Sequence, residues 1–349
     1  MTQNIVVIGD THFGIKNNSM TWLKHQKAGF EEIIEYIKTS VQQYDFTTVV
    51  HVGDLFDSRS SINPLVYKEV LNLLDEVDGE LGFGNKGEMF ILGGNHDYYY
   101  PWESDRNFTG IQMLPPFNHI LPVVNLPMRY GDLIFIPWYD FHNPEKLKKA
   151  LSKANESDVI FTHTDPFHMD PAIRKLVGKH PLITGHIHQP NMDWEMFWLV
   201  TGASYPTDFT DTNSKRGFWT LNREVERGFP SHSPAGMSDF KVDFHPVESS
   251  IHFHTLTEDM LENWHNYGIK EDDYVEVVIK QSHMEDHKAT IKELHDLFTT
   301  SITHLPEDNA ESVFESTEVL NVDTVCKKML PKKLKGCYQR MVTACSKKD

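Results

Sequence analysis

Five short apolar stretches of the sequence each run directly into Asp, Asn or His, and these polar residues are the ones that could do chemistry. The motifs are GDTH, GDLFD, GNHD, TH and GHIH. Carboxylate and amide oxygens with imidazole nitrogens are ligands for hard to borderline divalent metals. The seven candidate ligands are Asp10, His12, Asp54, Asn95, His163, His186 and His188. Such a set is too large for one ion and suits two ions about 3.5–4 Å apart, which clamp a phosphate for in-line attack.

Asp54 is the expected bridge between the two ions, because its motif lies between the others in the chain. Any one histidine is more often a hydrogen-bonded core or surface residue than a ligand. His252 and His254 share the HxH spacing, but no acid-bearing strand end accompanies them, so we expect them to be of that ordinary kind. Chance placement of all seven candidates at strand ends is very improbable.

His96 follows Asn95 directly, and this position predicts a proton donor outside the metal shell. A protonated imidazole beside the leaving oxygen can donate to the departing alkoxide. Asp57, three residues after Asp54, could accept a hydrogen bond from His96 and favour its charged form. The alternative for Asp57 is an ordinary loop cap. The aromatic stretch 98–102 could stack on bases or pack against a neighbouring helix or subunit.

The candidate ligands need strands that end at a common edge. Apolar, largely β-branched runs predict short buried strands over residues 5–8, 47–50, 89–92, 159–161 and 182–184. Open α/β sheets bind ligands at their carboxyl edge, so we expect the five motifs to meet there.

Helices are predicted between the first three strands. Apolar residues near helical spacing cover 22–37 and 65–77, the second run behind an Asn63-Pro64 start. The apolar face of this second helix is either a core face or a dimer face. Residues 82–87 spell GxGxxG, but a helix precedes them and a strand follows, which predicts a turn and not a nucleotide site.

The later part of the chain divides by composition. The strand ending at Val200 and the stretch 217–221 are expected to form a second sheet that closes the domain. Gly, Pro and Ser among charges indicate a linker or an irregular edge over 224–246. Alternation of apolar and polar residues over 273–279 predicts a strand, and residues 288–298 are predicted to form a helix. Together they indicate a small α+β domain. The acidic stretch 307–318 precedes two short amphipathic helices over 322–345, which are too small to fold alone and should dock on another surface.

Length, hydropathy and cysteines limit the class of protein. The 349 residues are enough for one large domain and a smaller one. No apolar run approaches the roughly 18 residues that span a bilayer, and the short apolar run near the N-terminus lacks the flanks of a secretory peptide. The three cysteines, all after residue 325, fit no zinc or redox motif and favour free thiols in a reducing cytosol.

The charge is unevenly distributed. A net charge of −17 is not typical of a stand-alone DNA binder. Residues 326–349 hold eight Lys/Arg and one acid, so the tail carries +7 and the remainder −24. Either metals engage phosphate, or a partner supplies much of the cationic surface.

Together the five motifs resemble those of the calcineurin-like metallophosphoesterase superfamily and, within it, of the SbcD nuclease family, whose phage members are small subunits of recombination endonucleases. LFD at 55–57 is the SbcD form of the second motif, and IPW at 136–138 and RGFW at 216–219 resemble the phage subunits. Protein phosphatases tend to carry Glu where this chain has Asp97, and Arg-Gly where it has SR at 58–59. The resemblance is specific over roughly residues 1–225 and loose beyond.

The resemblance implies a four-layer α/β/β/α sandwich with nuclease activity over 1–225, a linker and small α+β capping domain over 226–305, and an acidic linker with ATPase-binding helices over 306–349. It implies two Mn²⁺ per chain, with Mg²⁺ as a substitute. One ion would be held by Asp10, His12, Asp54 and His188, and the other by Asp54, Asn95, His163 and His186. His96 would be the general acid. Eukaryotic and archaeal members carry His where this chain has Asp57, so its role is assigned less firmly.

The resemblance also implies partners. These are DNA, a second copy of the chain bound through helices near 64–77 and 98–113, and an SbcC-type coiled-coil ATPase bound through the C-terminal helices. The expected protein is a cytoplasmic DNA exonuclease with single-strand endonuclease activity in recombination, repair and end processing, in the host cytoplasm for a phage member. The alternatives are a phosphomonoesterase or small-molecule phosphodiesterase of the same superfamily, or a non-catalytic DNA-tethering module. The intact ligand set argues against the last.

Overall fold

Strand side chains alternate between two apolar environments, and this alternation builds the fold. The computed structural model describes residues 1–99, 108–207, 215–224, 240–248, 252–270 and 273–305. In it Val6 and Ile8 join a core with helices, whereas Ile5 and Val7 join a core with a second sheet. Both faces of the first strand are therefore buried, as in parallel sheets covered on both sides.

The first sheet has six strands. They are β1 (Thr2–Ile8), β2 (Phe46–His51), β3 (Gly87–Leu92), β4 (Ile120–Val123), β11 (Gly217–Glu224) and β12 (Lys241–Pro246). Their order is β12-β11-β1-β2-β3-β4; β1 to β4 are parallel, and β11 is antiparallel to both of its neighbours. Ile8 pairs with His51 and His51 with Ile91, so the loops after β1, β2 and β3 leave the sheet at one edge.

The second sheet also has six strands. They are β5 (Met128–Tyr130), β6 (Leu133–Phe135), β7 (Val159–His163), β8 (Leu182–Gly185), β9 (Asn191–Asp193) and β10 (Trp198–Val200). Their order is β5-β6-β7-β8-β10-β9, with antiparallel strands only at the two edges. His163 pairs with Gly185, so these two strands end side by side.

Helices cover the outer faces of the two sheets. They are α2 (Met20–Gln43), α3 (Pro64–Gly82), α4 (Trp138–Phe141), α5 (Pro144–Leu151) and α6 (Pro171–Val177); a one-turn segment with partly left-handed backbone, α1 (Ile15–Asn18), precedes α2. α2 and α3 pack on the first sheet, and α5 and α6 on the second. Asn63, Asn143 and Asp170 cap α3, α5 and α6 with their side chains, and each cap is followed by proline at the first helical position.

The predicted α/β/β/α sandwich is confirmed, as are the helices over 22–37 and 64–77. The apolar face of α3 packs into the core. Residues 82–87 form a turn that contains a 3₁₀ segment, Phe83–Asn85, as predicted. The assignment of 217–221 to the second sheet is wrong, because β11 pairs with β1 in the first sheet. A local apolar pattern identifies a strand, but long-range packing decides which sheet it joins.

A third sheet follows. Its strands are β13 (Phe253–Thr257), β14 (Tyr274–Lys280) and β15 (Thr299–Leu305), accompanied by α7 (Lys288–Leu297) and 3₁₀ segments at Glu258–Tyr267 and Gln281–His283. The strand and helix predicted over 273–279 and 288–298 are confirmed. Trp22 of α2 stacks on Phe253 and Tyr274, with ring centroids 5.6 and 5.4 Å away, and so fixes β13 and β14 to the start of α2.

The described residues divide into two units, those within 1–278 and 287–303 and those within 279–286 and 304–305. The domain boundaries given by the sequence stay a prediction. The acidic stretch, the tail helices and part of the predicted dimer segment 98–113 lie outside the described residues. Over the ranges that the structure describes, no helix has the length and apolar character needed to cross a membrane.

Candidate metal centre

All nine predicted site residues lie at the carboxyl ends of strands in the two sheets. Each follows or ends a strand: Asp10 and His12 after β1, Asp54 and Asp57 after β2, Asn95 and His96 after β3, His163 at the end of β7, and His186 and His188 after β8. The backbone N–H of His186 donates to Asp10 Oδ1 at 3.0 Å, which joins the edge of the second sheet to that of the first. The fold therefore brings the candidate donors from both sheets into one place.

One group of donors surrounds His163. Its Nε2 lies 2.9 Å from Asn95 Oδ1, 3.2 Å from Asp54 Oδ2 and 3.7 Å from Asp10 Oδ1. His186 Nδ1 lies 2.8 Å from the same Asn95 oxygen. The other nitrogen of His163, Nδ1, donates to the Val52 carbonyl at 2.9 Å and so turns Nε2 toward the oxygens. Such a backbone partner is typical behind a metal-binding histidine.

A second group of donors surrounds His12. Its Nε2 lies 3.1 Å from His188 Nε2 and 3.6 Å from Asp54 Oδ2. Asp54 Oδ2 therefore faces an imidazole in each group, as expected of the predicted bridge. Asp10 also contributes to both, since its carboxylate clusters with His12 and His188 and again with Asp54 and His163. The assignment of individual ligands to two ions stays a prediction.

The charges at the site favour a cation. Although burial lowers the pKa of His163, Asp54 and Asp10 outweigh it and raise that pKa to about 9. Burial lowers the pKa of His12 as well, but Asp57, Asp54 and Asp10 outweigh burial and raise that pKa above its ordinary value. Over the described ranges, imidazoles and backbone N–H groups are the partners of Asp10 and Asp54, with no lysine or arginine among them. Converging carboxylate, amide and imidazole donors without a fixed cation fit divalent metal.

His96 lies at the rim of this cluster and is held by two backbone contacts. Its N–H donates to Asp54 Oδ1 at 2.8 Å, and its Nδ1 donates to the carbonyl oxygen of Asp57 at 2.7 Å. The partner of His96 is thus the main chain of Asp57 and not the carboxylate that the sequence suggested. That carboxylate points to His12, with Oδ1 3.4 Å from Nδ1. His12, Asp57 and His96 also form a third cluster of potential metal ligands.

Three of the predicted ligands have left-handed backbone. The φ angles are 43° for His12, 55° for Asp54 and 80° for His186. Glycine next to these ligands allows the close approach of the loops. A Cβ on Gly53, at φ 112°, would lie 2.6 Å from His163 Nδ1, and one on Gly94 would lie 2.2 Å from Asp54 Oδ1. Gly53 of the second motif is therefore needed for its backbone conformation and for space, and Gly94 of the third motif for space alone.

Asp97 is a site residue that the sequence reasoning missed, since it served only to separate the chain from protein phosphatases. Its buried carboxylate accepts the N–H groups of Asp54 and Gly94, both at 2.9 Å, and of Phe56 at 3.3 Å. Burial and the nearby charge of Asp54 raise the pKa of Asp97 to about 7, against the pull of these N–H groups. Asp97 thereby ties the loop after β2 to the loop after β3. Its position directly after Asn95 and His96 in the sequence could have identified it as a residue of the site.

Two further buried residues support the ligand loops. Burial lowers the pKa of His51 to about 3, and the neutral ring accepts from Gly53 N–H at 3.3 Å and donates to Thr11 Oγ1 at 2.9 Å. Gln26 of α2 donates to the carbonyl oxygens of Thr11 and His12, both at 2.8 Å. His51 could have been found from its place at the end of β2. Gln26 carries no sequence signal, because folding alone brings its partners to it.

His252 and His254 stand apart from this centre. His254 Nε2 lies 2.9 Å from Asp273 Oδ2, and His252 N–H donates to Asp273 Oδ1 at 3.0 Å. Neither belongs to a metal-ligand cluster of the described residues. Their expected role as hydrogen-bonded residues is consistent with these contacts.

Comparison with known proteins bears on this geometry. The family model for calcineurin-like phosphoesterases matches residues 3–190. Exonuclease subunit 1 of Enterobacteria phage T4 is 24% identical over 241 residues, which cover 64% of this chain and 66% of that protein, just under two thirds of its length.

Two solved structures are also similar. A conserved uncharacterized protein of Streptococcus pneumoniae TIGR4, a predicted phosphoesterase, has 15% identity and a TM-score of 0.30 over 70% of this chain and 90% of its own. Nuclease MPE of Pseudomonas putida has 14% identity and a TM-score of 0.30 over 62% and 83%. Scores this low bear neither on fold nor on function.

Proposed function

The chain belongs to the calcineurin-like phosphoesterase family, and we propose that within it the protein is a Mn²⁺-dependent DNA nuclease subunit that hydrolyses phosphodiester bonds. The observation that carries this proposal is the convergence of donors from both sheets on Asp54 Oδ2. Family membership supports a divalent metal and a phosphate ester. DNA as substrate rests on the likeness to the phage exonuclease subunit.

We assign two ions to the predicted ligand sets, Asp10, His12, Asp54 and His188 for one and Asp54, Asn95, His163 and His186 for the other. Two divalent cations, when bound, supply Lewis-acid stabilisation of the charge on the reacting phosphate. The mixture of imidazole and oxygen donors suits Mn²⁺, whereas Mg²⁺ prefers oxygen alone and would be the poorer substitute.

His96 is the proposed proton donor. Because its Nδ1 is engaged by the Asp57 carbonyl at 2.7 Å, Nε2 is the nitrogen that can deliver a proton to the leaving oxygen. Its N–H contact with Asp54 Oδ1 at 2.8 Å keeps the ring beside the donors without making its side chain one of them. A protonated imidazole held in this way is a general acid.

Asp57 is proposed to act through His12. Its carboxylate oxygen lies 3.4 Å from His12 Nδ1, and this contact favours a proton on Nδ1 and leaves Nε2 to a metal. Asp57 also holds His96, but through its backbone carbonyl. In this proposal Asp57 is a positioning residue, and its side chain never meets the substrate.

The finer parts of the proposal follow the family resemblance. They are exonuclease and single-strand endonuclease activity, a homodimer, and an SbcC-type coiled-coil ATPase bound by the tail after residue 325. The strongly acidic remainder of the chain, at −24, makes direct electrostatic capture of DNA weak. A cationic partner surface would compensate for it.

Purified protein should be given Mn²⁺, Mg²⁺ or EDTA and offered labelled single- and double-stranded oligonucleotides and 4-nitrophenyl phosphate, with and without the ATPase. We expect Mn²⁺-dependent DNA cleavage and little turnover of the monoester, with Asp54→Asn as the inactive control. Faster turnover of the monoester than of DNA would indicate a phosphomonoesterase. Metal binding without turnover of either substrate would indicate a DNA-tethering module.

A further inference from the structure

A cavity of about 650 Å³ opens directly beside the metal centre. Its lining includes Asn95 and His186, two proposed ligands of the same ion, together with Trp138, Tyr139, His142 and Arg59. Its volume falls within the roughly 300–1,000 Å³ of small-ligand sites. A molecule whose phosphate lies at the metal centre would therefore extend into this cavity.

The aromatic wall of the cavity is fixed to the ligand loops of both sheets. Trp138 N–H donates to the Gly93 carbonyl at 2.9 Å, two residues before Asn95. One turn later His142 Nε2 lies 3.3 Å from the hydroxyl of Thr164, the residue after His163. These two contacts fix the distance between the aromatic residues and the metal centre. A subsite needs such a fixed distance, because the base and the phosphate of a nucleotide are a set distance apart.

The lining residues have the chemistry of a nucleotide site. Trp138 is half-buried and carries the largest aromatic ring among the lining residues; its ring lies 5.3 Å from that of His142, centroid to centroid. Tyr139 is less suited to stacking, because Lys146 Nζ lies 4.6 Å from its ring centroid and covers one face. Arg59 supplies a cation, and the Asp165 carboxylate is paired with His168 at 2.7 Å. An aromatic ring beside the metal centre can stack on a base, and the exposed Arg59 side chain can contact the neighbouring phosphate.

We propose that this cavity is a nucleotide subsite in which the base next to the scissile phosphate stacks on Trp138 and Arg59 contacts an adjacent phosphate. The inference rests on the proposed function, because it assumes a phosphodiester at the metal centre. It adds a requirement that hydrolysis alone does not impose: one base of the strand must be splayed into the cavity. Single-stranded and frayed ends meet that requirement at the lowest cost of unstacking.

The test combines removal of the base with removal of the ring. Single-stranded oligonucleotides should carry one abasic tetrahydrofuran residue at each position around the cleaved bond, and KM should be measured with Mn²⁺ for wild type and Trp138→Leu. Leucine keeps the apolar packing but cannot stack. At one position, base removal should raise the wild-type KM about 5- to 150-fold, the range of base–aromatic stacking. Trp138→Leu should show that rise with the intact strand and no further rise with the abasic one.

Trp194→Leu is the matched control, because Trp194 is 61% exposed and lies outside the cavity. It should behave as wild type. The proposal is overturned if base removal affects Trp138→Leu and wild type equally, if no position is sensitive to base removal, or if Trp194→Leu reproduces the effect of Trp138→Leu.

Methyl 4-nitrophenyl phosphate separates this proposal from the proposed function. It carries a diester without a nucleoside, so both wild type and Trp138→Leu should hydrolyse it, which also shows that the variant is folded. Failure of wild type to hydrolyse both this ester and DNA would refute the proposed function. Arg59→Gln supplies a second readout: the slope of log KM against log salt should become shallower by about 0.7, the value for one phosphate contact on a single strand. An unchanged slope would overturn the role of Arg59.

Discussion

Asp97 offers a sharp test of how the metal centre is held together. We expect Asp97→Asn to weaken Mn²⁺ binding as well as the fold, because its carboxylate joins two ligand loops. Oδ2 accepts from Asp54 and Gly94, both at 2.9 Å, and Oδ1 accepts from Phe56 at 3.3 Å. All three N–H groups belong to buried residues.

The magnitude follows from counting acceptors. Asparagine can keep its oxygen toward Asp54 and Gly94, but its NH₂ then faces the Phe56 N–H, so one buried donor loses its acceptor. That costs about 1–3 kcal/mol in the free energy of unfolding. Asp97→Ala removes the acceptor from all three donors and should cost about 3–5 kcal/mol, near the upper end for single substitutions. Loss of an outer-shell partner typically lowers metal affinity 10–100-fold.

Urea unfolding and titration calorimetry with Mn²⁺ measure the two effects separately. Asp78→Asn is the matched control, because the Asp78 carboxylate also accepts backbone N–H groups, from His119 at 2.6 Å and Asn118 at 3.4 Å, at the opposite end of the parallel strands. It should lose stability but keep Mn²⁺ affinity. Normal Mn²⁺ affinity in Asp97→Asn, or an equal loss in both variants, would refute the positioning role.

Four further predictions concern the ligands, the proton donor, the loops and the tail. Asp54→Asn and His186→Ala should each abolish hydrolysis, the first by weakening both ions and the second by emptying one site; near-normal DNA cleavage by either variant would contradict the two-metal assignment. His96→Ala should keep both Mn²⁺ ions by elemental analysis and slow DNA cleavage about 10²–10⁴-fold, with a smaller loss on a nitrophenyl phosphodiester. Loss of an ion, which the cluster of His12, Asp57 and His96 would explain, or equal slowing of both substrates would exclude it as the acid. Gly94→Ala should abolish activity because the new methyl group would lie 2.2 Å from Asp54 Oδ1; Gly79→Ala, which meets open space in α3, should stay active and gain about 1 kcal/mol of stability, and the converse result would contradict this. Deleting residues 326–349 should leave Mn²⁺-dependent cleavage of short DNA intact and abolish co-elution with the ATPase, so unchanged co-elution would leave the tail without its proposed role.

The fold could be predicted where local pattern and burial coincide. Ile5 and Val7 face one core and Val6 and Ile8 the other, so a continuous apolar run identified a strand buried on both sides. The membership of β11 could not be predicted in this way. Its short apolar stretch could pack in either sheet, and only pairing with β1, far away in the sequence, places it in the first.

The convergence of the candidate ligands was predictable because each is a metal-binding residue type at the end of an apolar run. The particular atoms that contact each other could not be predicted. The sequence places Asp57 near His96, but the contact uses the carbonyl of Asp57, and its carboxylate turns to His12. Spacing along a loop limits which residues are neighbours, whereas the backbone angles decide which atoms face each other. The supporting contacts of Asp97 and Gln26 depend on the same angles.

The strained backbone of the ligands explains why the site is built on two sheets. His12, Asp54 and His186 have φ angles of 43°, 55° and 80°, and non-glycine residues in that region cost about 1–3 kcal/mol each. A free loop would relax out of such a conformation. Here β1, β2 and β8 end within a few residues of these ligands, and each strand is hydrogen-bonded on both sides, so the start of every ligand loop is fixed. The donors are therefore held close together by the fold itself. We accordingly expect Mn²⁺ to bind with little backbone rearrangement.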